Sequence, residues 1–307
     1  MTKKTIIALV IFALVGIGTY FLIRGIPYFL DVGHDSDALT DTNVPNGGQA
    51  DDTQDTAQDA TAESVIGKSV QGRDITAYHY GDGDAEILFV GGIHGGYSWN
   101  TVSVAHRAMD YFAANPDVIP DNVRVTVIPV LNPDGLNRVV GTAGRFDVAD
   151  VSPLQAIRIV GRFNANNVDL NRNFDCDWQS NALWQNTNVN GGSGAFSEPE
   201  SQALRDYANT NKPTAVVAWY SASGGVFASN CHNSVLPETR TITEVYASAS
   251  GYPPYQDFDF YEVTGDMVNW LAKQEIPAIS VLLSTHEDIE WDKNRAGIEA
   301  LLEHYAQ

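Results

Sequence analysis

The residue types able to do chemistry are gathered in a few short segments. His94 lies in Gly91-Gly92-Ile93-His94-Gly95-Gly96 and Arg162 in Gly161-Arg162-Phe163-Asn164. Asp169, Asn171 and Arg172 share Val168-Asp169-Leu170-Asn171-Arg172-Asn173-Phe174, and Tyr261 opens Tyr261-Glu262-Val263-Thr264-Gly265. An imidazole holds catalytic zinc only with company, because such a site takes three protein ligands plus an open position. A guanidinium offers a planar fork that matches a carboxylate. The plainer alternative is an ion pair between Asp169 and Arg172 that orders a loop. Cys231-His232 and His286-Glu287-Asp288 add candidate metal donors, although loop histidines and acids are more often solvated. Ser221-Ala222-Ser223-Gly224-Gly225 carries serines, but Gly-x-Ser-x-Gly is absent and no base partner is identifiable, which disfavours a serine hydrolase. Two cysteines, Cys176 and Cys231, exclude a Cys-rich zinc module; they can pair, but two unlinked thiols are at least as expected.

Alternating strands and helices must position these residues. Glu86–Gly91, Val123–Val130, Thr214–Trp219 and Ala278–Leu283 are compact apolar runs, as in strands covered on both faces. Asp74–Tyr80 alternates and reads as an edge strand. Helical patterns cover Trp99–Ala114, Pro199–Asn209, Thr241–Ser250, Asp266–Gln274 and Asn294–Tyr305. Pro199 after Ser197-Glu198 marks a helix start. Gly- and Asn-rich loops at about 131–168, 175–196 and 222–238 are longer than connections usually are. They begin at the C-terminal strand ends, where an open α/β sheet places its ligand site.

The 307 residues are 44% hydrophobic and 18% charged, enough apolar content for a large core. Lys+Arg total 18 against 38 Asp+Glu, a net charge of -20 that repels phosphate backbones, so no nucleic-acid partner is expected. Residues 1–30 read as a membrane anchor. After Lys3 and Lys4, Ile6–Ile23 runs eighteen residues without a charge, about 27 Å as a helix. No small-x-small site precedes Arg24-Gly25-Ile26-Pro27, which favours a retained anchor over a cleaved signal peptide. The flanking positive charges put the N-terminus in the cytoplasm and the rest of the single-pass protein outside. Residues 31–63 hold nine acids and neither Lys nor Arg, the composition of a solvated, self-repelling linker. Residues 64–307 then carry -14 and read as one α/β domain.

Taken in order, the segments around His94, Asn132-Pro133-Asp134-Gly135, Arg162 running into Asp169–Phe174, Phe196-Ser197-Glu198-Pro199-Glu200, and Tyr261–Gly265 with Trp270 resemble the zinc carboxypeptidases of the M14 family, from His94 to the end of the chain. The resemblance implies a mixed eight-stranded sheet flanked by helices. It also implies hydrolysis of a C-terminal peptide bond, with zinc polarising the carbonyl and activating a water. Under it, Asn171 and Arg172 stand where the family holds the substrate's terminal carboxylate. Arg162 stands near the position that stabilises the oxyanion, Tyr261 matches the tyrosine that closes over the bound residue, and Val268 falls at the side-chain-specificity position, pointing to a neutral or apolar terminal residue.

The chemical half departs from the pattern. His-x-x-Glu lands on Tyr97, or on Ser98 with one extra residue; neither is a carboxylate, and Ser98 can instead cap the helix at Trp99. Tyr220 occupies the second zinc histidine's place at the end of Ala218-Trp219-Tyr220-Ser221. Leu282, or Leu283 with a register slip, stands for the catalytic glutamate. His94 is then the single family ligand that remains. Loss of the base alone costs about 10²–10⁴-fold in rate. The expectation is a pseudoenzyme, with zinc absent or weakly bound, that still holds peptide or peptidoglycan stem-peptide C-termini through Asn171, Arg172, Arg162 and Tyr261. The alternatives are an active metallocarboxypeptidase with a rearranged metal site, and a displayed interaction scaffold.

Overall fold

In the computed structural model, which describes residues 62–232 and 234–306, the four apolar runs pair as the centre of one sheet. They are β3 (Ala85–Val90), β4 (Val123–Ile128), β7 (Ala215–Ser221) and β10 (Ala278–Leu283), mutually parallel in the order β4-β3-β7-β10. Antiparallel strands extend both sides: β1 (Ala62–Lys68) and β2 (Asp74–Tyr80) beyond β4, and β8 (Gly225–Ala228) beyond β10, with β9 (Pro254–Tyr255) parallel to β8 at the far edge. The result is a mixed eight-stranded sheet. Asp74–Tyr80 is therefore not the edge strand that its alternation suggested, because β1 lies outside it. β1 escapes a hydrophobic reading: it is largely exposed and contains Gly67, where a Cβ would come within 2.5 Å of the Ala203 Cβ.

Side chains alternate across the central strands, so each strand feeds two cores. Leu88, Val90, Ile128, Val216 and Ala218 meet Ala203, Leu204 and Tyr207 of α4 (Pro199–Asn211) and Met267, Trp270 and Leu271 of α6 (Met267–Lys273). Ile87, Phe89, Val125, Val217 and Trp219 meet α1 (Trp99–Ala114), α5 (Pro237–Ser250) and α7 (Trp291–Tyr305) through Phe112, Tyr246, Ile298 and Leu301. This double coverage is why the central strands read as unbroken apolar runs.

The long loops contain structure of their own. Segment 131–168 holds α2 (Pro133–Val140), started by the Asn132 side chain accepting from the Gly135 amide, and the short α3 (Gln155–Val160). Segment 175–196 carries the hairpin β5 (Asn181–Trp184) and β6 (Thr187–Asn190). Cys176 and Cys231 are joined in a disulfide, with Cα atoms 6.0 Å apart, rather than standing as two free thiols. The bond fastens the loop after β8 to the segment leaving Phe174. The anchor 1–30 and nearly all of linker 31–63 lie outside the described residues, and β1 begins at Ala62. No helix among the described residues is long and apolar enough to cross a membrane.

Candidate functional site

β3 ends at Val90 and runs into Gly91-Gly92, where Gly92 adopts φ 64°, and the chain turns to bring His94 into the space above the sheet. Backbone bonds from Leu131 to the Gly91 carbonyl (3.1 Å) and from Asn132 to the Gly92 carbonyl (3.0 Å) tie this turn to the end of β4. A one-turn 3₁₀ segment, Leu170–Arg172, follows Asp169, whose carboxylate accepts from the Asn171 amide at 3.1 Å. Gly265, at φ 65°, supports this turn from behind; a Cβ there would come within 2.3 Å of the Arg172 carbonyl oxygen.

These segments surround a cavity of about 370 Å³. His94, Tyr97, Arg162, Asn171, Arg172, Tyr220, Tyr261, Val268 and Leu282 all line it, so residues spread over nearly two hundred positions converge. Ser98 does not. It is buried, its hydroxyl has no hydrogen-bond partner, and it makes no side-chain cap on α1, contrary to the capping role expected from sequence. Leu283 packs in the opposite core, which leaves Leu282, directly across from Tyr220 in the β7–β10 register, facing the cavity.

The two arginines have different surroundings. Arg162 donates from Nε to Asp169 Oδ2 at 2.8 Å and lies 4.4 Å over the Trp184 ring. Asp169 therefore pairs with Arg162, not with Arg172 as in the loop-ordering alternative. Arg172 is 1% exposed; its Nε donates to the Leu183 carbonyl at 2.8 Å and its Nη1 to the Asn171 carbonyl at 2.6 Å. Among the described residues no carboxylate lies within ion-pair distance of it. Asn171 is engaged on both ends of its amide: Nδ2 donates to Asp266 at 2.7 Å, and Oδ1 accepts from the Met267 amide at 3.1 Å and the Tyr220 hydroxyl at 3.3 Å. Burial raises the Asp266 pKa, and the Asn269 amide, Arg172 and Asn171 pull against that rise. Val268, Leu282, Phe227 and Ala228 supply an apolar part of the lining. Trp184, Phe258 and Phe260 also line the cavity. Sequence reasoning missed them, although Trp184 stands in a loop marked for function by its length.

The donors present do not fit a zinc ion. Both ring nitrogens of His94 are buried without a hydrogen-bond partner, Nε2 lying 3.8 Å from Asp169 Oδ1, and burial, then Arg162, Arg172 and His286, hold its pKa well below the usual histidine value. Tyr97, Tyr220 and Leu282 share the cavity with it and offer two phenols and an alkyl chain rather than carboxylate or imidazole donors. The Tyr220 phenol is pushed up by burial, then by Asp266. The other donors do not assemble either. His232 pairs with Asp177 at 2.5 Å away from the cavity, Glu287 bonds Arg158 at 2.7 Å, and only His286 of its trio lines the cavity, against Tyr97 at 4.6 Å. Among the described residues no three His, Cys, Asp or Glu side chains are grouped to hold a metal.

Comparison with known proteins agrees with this architecture. The chain is 25% identical over 216 residues to gamma-D-glutamyl-L-diamino acid endopeptidase 1 of Lysinibacillus sphaericus, covering 64% of this chain and 54% of that protein. It is 28% identical over 121 residues to human carboxypeptidase D, 36% of this chain and 8% of that protein. The chain thus spans about half the length of the first relative and under a tenth of the second. Among solved structures, the carboxypeptidase A of Helicoverpa armigera superposes with a TM-score of 0.60 at 20% identity, over 80% of this chain and 67% of that one. Murein-tripeptide amidase MpaA of Escherichia coli O157 superposes at 0.55 and 19%, over 81% and 96%. These two share the fold. The sequence profile of the zinc carboxypeptidase family matches residues 49–292, four-fifths of the chain, and the chain belongs to that family, peptidase M14.

Proposed function

We propose that this protein is a non-hydrolytic zinc carboxypeptidase-family member that binds peptides by their C-terminal carboxylate. The carrying observation is Arg172: buried, lining the cavity, and without a carboxylate partner among the described residues. A buried cation with no carboxylate in ion-pair contact is expensive to maintain, and an entering carboxylate supplies that contact through a two-pronged hydrogen bond. Arg162 is already paired with Asp169. Asp266, the carboxylate lining the cavity, acts on Arg172 only from beyond ion-pair distance while its oxygens accept from Asn171 and the Asn269 amide, which leaves the Arg172 guanidinium open to contact by an entering carboxylate. The terminal side chain lies against Val268, Leu282 and Phe227, which suits an apolar residue. Tyr261 and its neighbour Phe258, 5.0 Å apart, flank the cavity and close over the bound end. Leu282 cannot accept a proton from water, which leaves the cleft without a base where the family's glutamate would stand.

Cell-wall stem peptides are the ligand class favoured by the relatives, two of which act, by their names, on a gamma-D-glutamyl-L-diamino acid bond and on murein tripeptide. The apolar N-terminal run supports membrane anchoring with the domain outside, and the Cys176–Cys231 disulfide suits an oxidising compartment. The test is binding of N-acetylated peptides ending in an apolar residue, as free acid and as amide. The acid binds at least about tenfold tighter than the amide, and Arg172→Ala removes the difference, since unpairing a buried charge costs about 2–5 kcal/mol. Equal binding of acid and amide sinks the proposal.

A second reading, an active metallocarboxypeptidase with a rearranged metal site, draws support from His94 and His286 sharing the cavity with unbonded ring nitrogens. Chelator-sensitive release of a C-terminal amino acid by the purified chain would favour it over binding alone.

A further inference from the structure

A second chemically organised cluster lies outside the cleft, and none of its residues lines that cavity. On the face of the sheet covered by α4, a polar row crosses β1, β2, β4 and β3. Ser64 Oγ is 2.9 Å from His79 Nε2, His79 Nδ1 is 3.0 Å from Thr126 Oγ1, and Thr126 Oγ1 donates to Glu86 Oε1 at 2.5 Å. Tyr207 of α4 donates its phenol hydrogen to the same Glu86 oxygen. Glu86 is 2% exposed and Thr126 is fully buried, while Ser64 at the other end is exposed.

The hydrogens in this row have little choice. Thr126 has one hydroxyl hydrogen, and the Glu86 carboxylate takes it. The Tyr207 phenol hydrogen goes to Glu86 as well. Thr126 Oγ1 can then only accept from His79, which places the ring proton on Nδ1 and leaves the Nε2 lone pair facing the Ser64 hydroxyl. That is the tautomer a general base requires, with a nucleophile within reach and a third group fixing the ring. Burial, opposed by Glu86 and joined by Arg124, lowers the His79 pKa, so the ring is neutral at neutral pH and its Nε2 lone pair is unprotonated. β1 is the outer strand of the sheet. Alternate amides along it point away from β2 and have no strand partner among the described residues.

We propose that Ser64 is an activated nucleophile, with His79 as its base, and a site of acyl transfer from carboxylic esters. Ser64 Oγ attacks the ester carbonyl carbon while its proton passes to His79 Nε2. The ester C–O bond breaks, the alcohol leaves with the proton from His79, and Ser64 carries the acyl group. The site has no part in the carboxylate cleft and stands or falls independently of the function proposed for it.

The test uses the full-length chain and p-nitrophenyl acetate, with acetylation mapped by peptide mass spectrometry. Ser193 and Ser248, exposed serines without a histidine partner among the described residues, serve as internal references. Ser64 acetylates about 10²–10⁴-fold faster than these, the range of general-base assistance. His79→Gln, which can keep hydrogen bonds to both neighbours, brings Ser64 down to the reference rate with the thermal unfolding midpoint little changed, and Ser64→Ala removes the adduct. Acetylation of Ser64 at the reference rate in the native protein overturns the proposal. So does a Ser64 rate that survives His79→Gln. If His79→Gln fails to fold, the ratio of Ser64 to Ser193 in the native protein still decides.

Discussion

Glu290 shows how a single carboxylate can hold a loop of the cleft. Its oxygens accept from the Ser284 amide (2.7 Å) and hydroxyl (2.9 Å), the Tyr252 hydroxyl (2.7 Å) and Lys293 (2.8 Å), closing the turn that carries His286. Burial alone would raise its pKa, but Lys293, Ser284 and Tyr252 together hold it down to about 2. An unfolded glutamate titrates near 4.3. The folded state therefore binds this proton less readily than the unfolded state, and the stabilisation is complete above about pH 4.3 and lost as pH falls toward 2. Glu290→Gln should flatten that part of the acid stability profile, measured by urea unfolding between pH 2 and 6, with the loss of stability full and pH-independent above about pH 4.3 and shrinking as pH falls toward 2. An unchanged acid slope would show that Glu290 does not act this way. Asn171 makes the complementary case. Its expected role was to grip a ligand, yet its amide already joins Asp266, the Met267 amide and Tyr220. Asn171→Leu strips the buried Asp266 of a donor and should destabilise the domain by about 1–3 kcal/mol, before any ligand is added. A loss of peptide affinity without a loss of stability would restore the purely gripping role.

At the scale of elements, what was legible in the sequence tracks burial. β3, β4, β7 and β10 are covered on both faces and announce themselves as apolar runs; α1 is bounded as its pattern indicates, from Trp99 to Ala114. β1, β8 and β9 were missed because edge strands are short, partly exposed or interrupted by glycine, so no periodicity accumulates. α2 is hidden in Asn132-Pro133-Asp134-Gly135, inside a segment whose composition reads as a loop, although Asn at the cap, Pro at the first position and Gly141 past the end are helix signals. The candidate site was largely legible because its residues sit in ordered short motifs. Trp184, Phe258 and Phe260 were not, since which loop aromatics face a cavity depends on long-range packing. The disulfide was beyond sequence for the same reason: two cysteines 55 residues apart say nothing about distance. Its contribution is predictable now. Closing a loop of that length restricts the unfolded chain by about 4 kcal/mol in the chain-entropy estimate. Cys176→Ser with Cys231→Ser should lower unfolding free energy by about 2–4 kcal/mol, and peptide affinity should fall with it if the loop after β8 helps shape the cleft. An unaltered denaturation midpoint would mean that packing around Phe174 and Trp270 holds these segments without the bond.

Across the whole molecule, charge works against the proposed ligand until the last few ångströms. The chain carries -20, and residues 64–307 contribute -14 of that, whereas the cleft presents the guanidinium of Arg172, which has no carboxylate within ion-pair distance among the described residues. An anionic peptide approaching in dilute salt meets the summed repulsive field of the surface first, because exposed charges act over a Debye length of about 30 Å at 0.01 M and only about 8 Å at 0.15 M. Arg172 is buried, so its contact with the carboxylate is screened far less by added salt. The two effects separate in kinetics. For an N-acetylated peptide with a free C-terminus, the association rate should rise with ionic strength between 0.01 and 0.15 M as the field collapses. The dissociation rate, set by the desolvated contact at Arg172, should change little. Net affinity then increases with salt, the reverse of a surface-steered pair. The C-terminal amide of the same peptide should lose this salt dependence together with its affinity. Stopped-flow or surface-binding kinetics at three salt concentrations decides the matter. An association rate that falls with salt would mean that the field at the cleft mouth is already positive, and that the local arrangement of arginines outweighs the acidity of the rest of the chain.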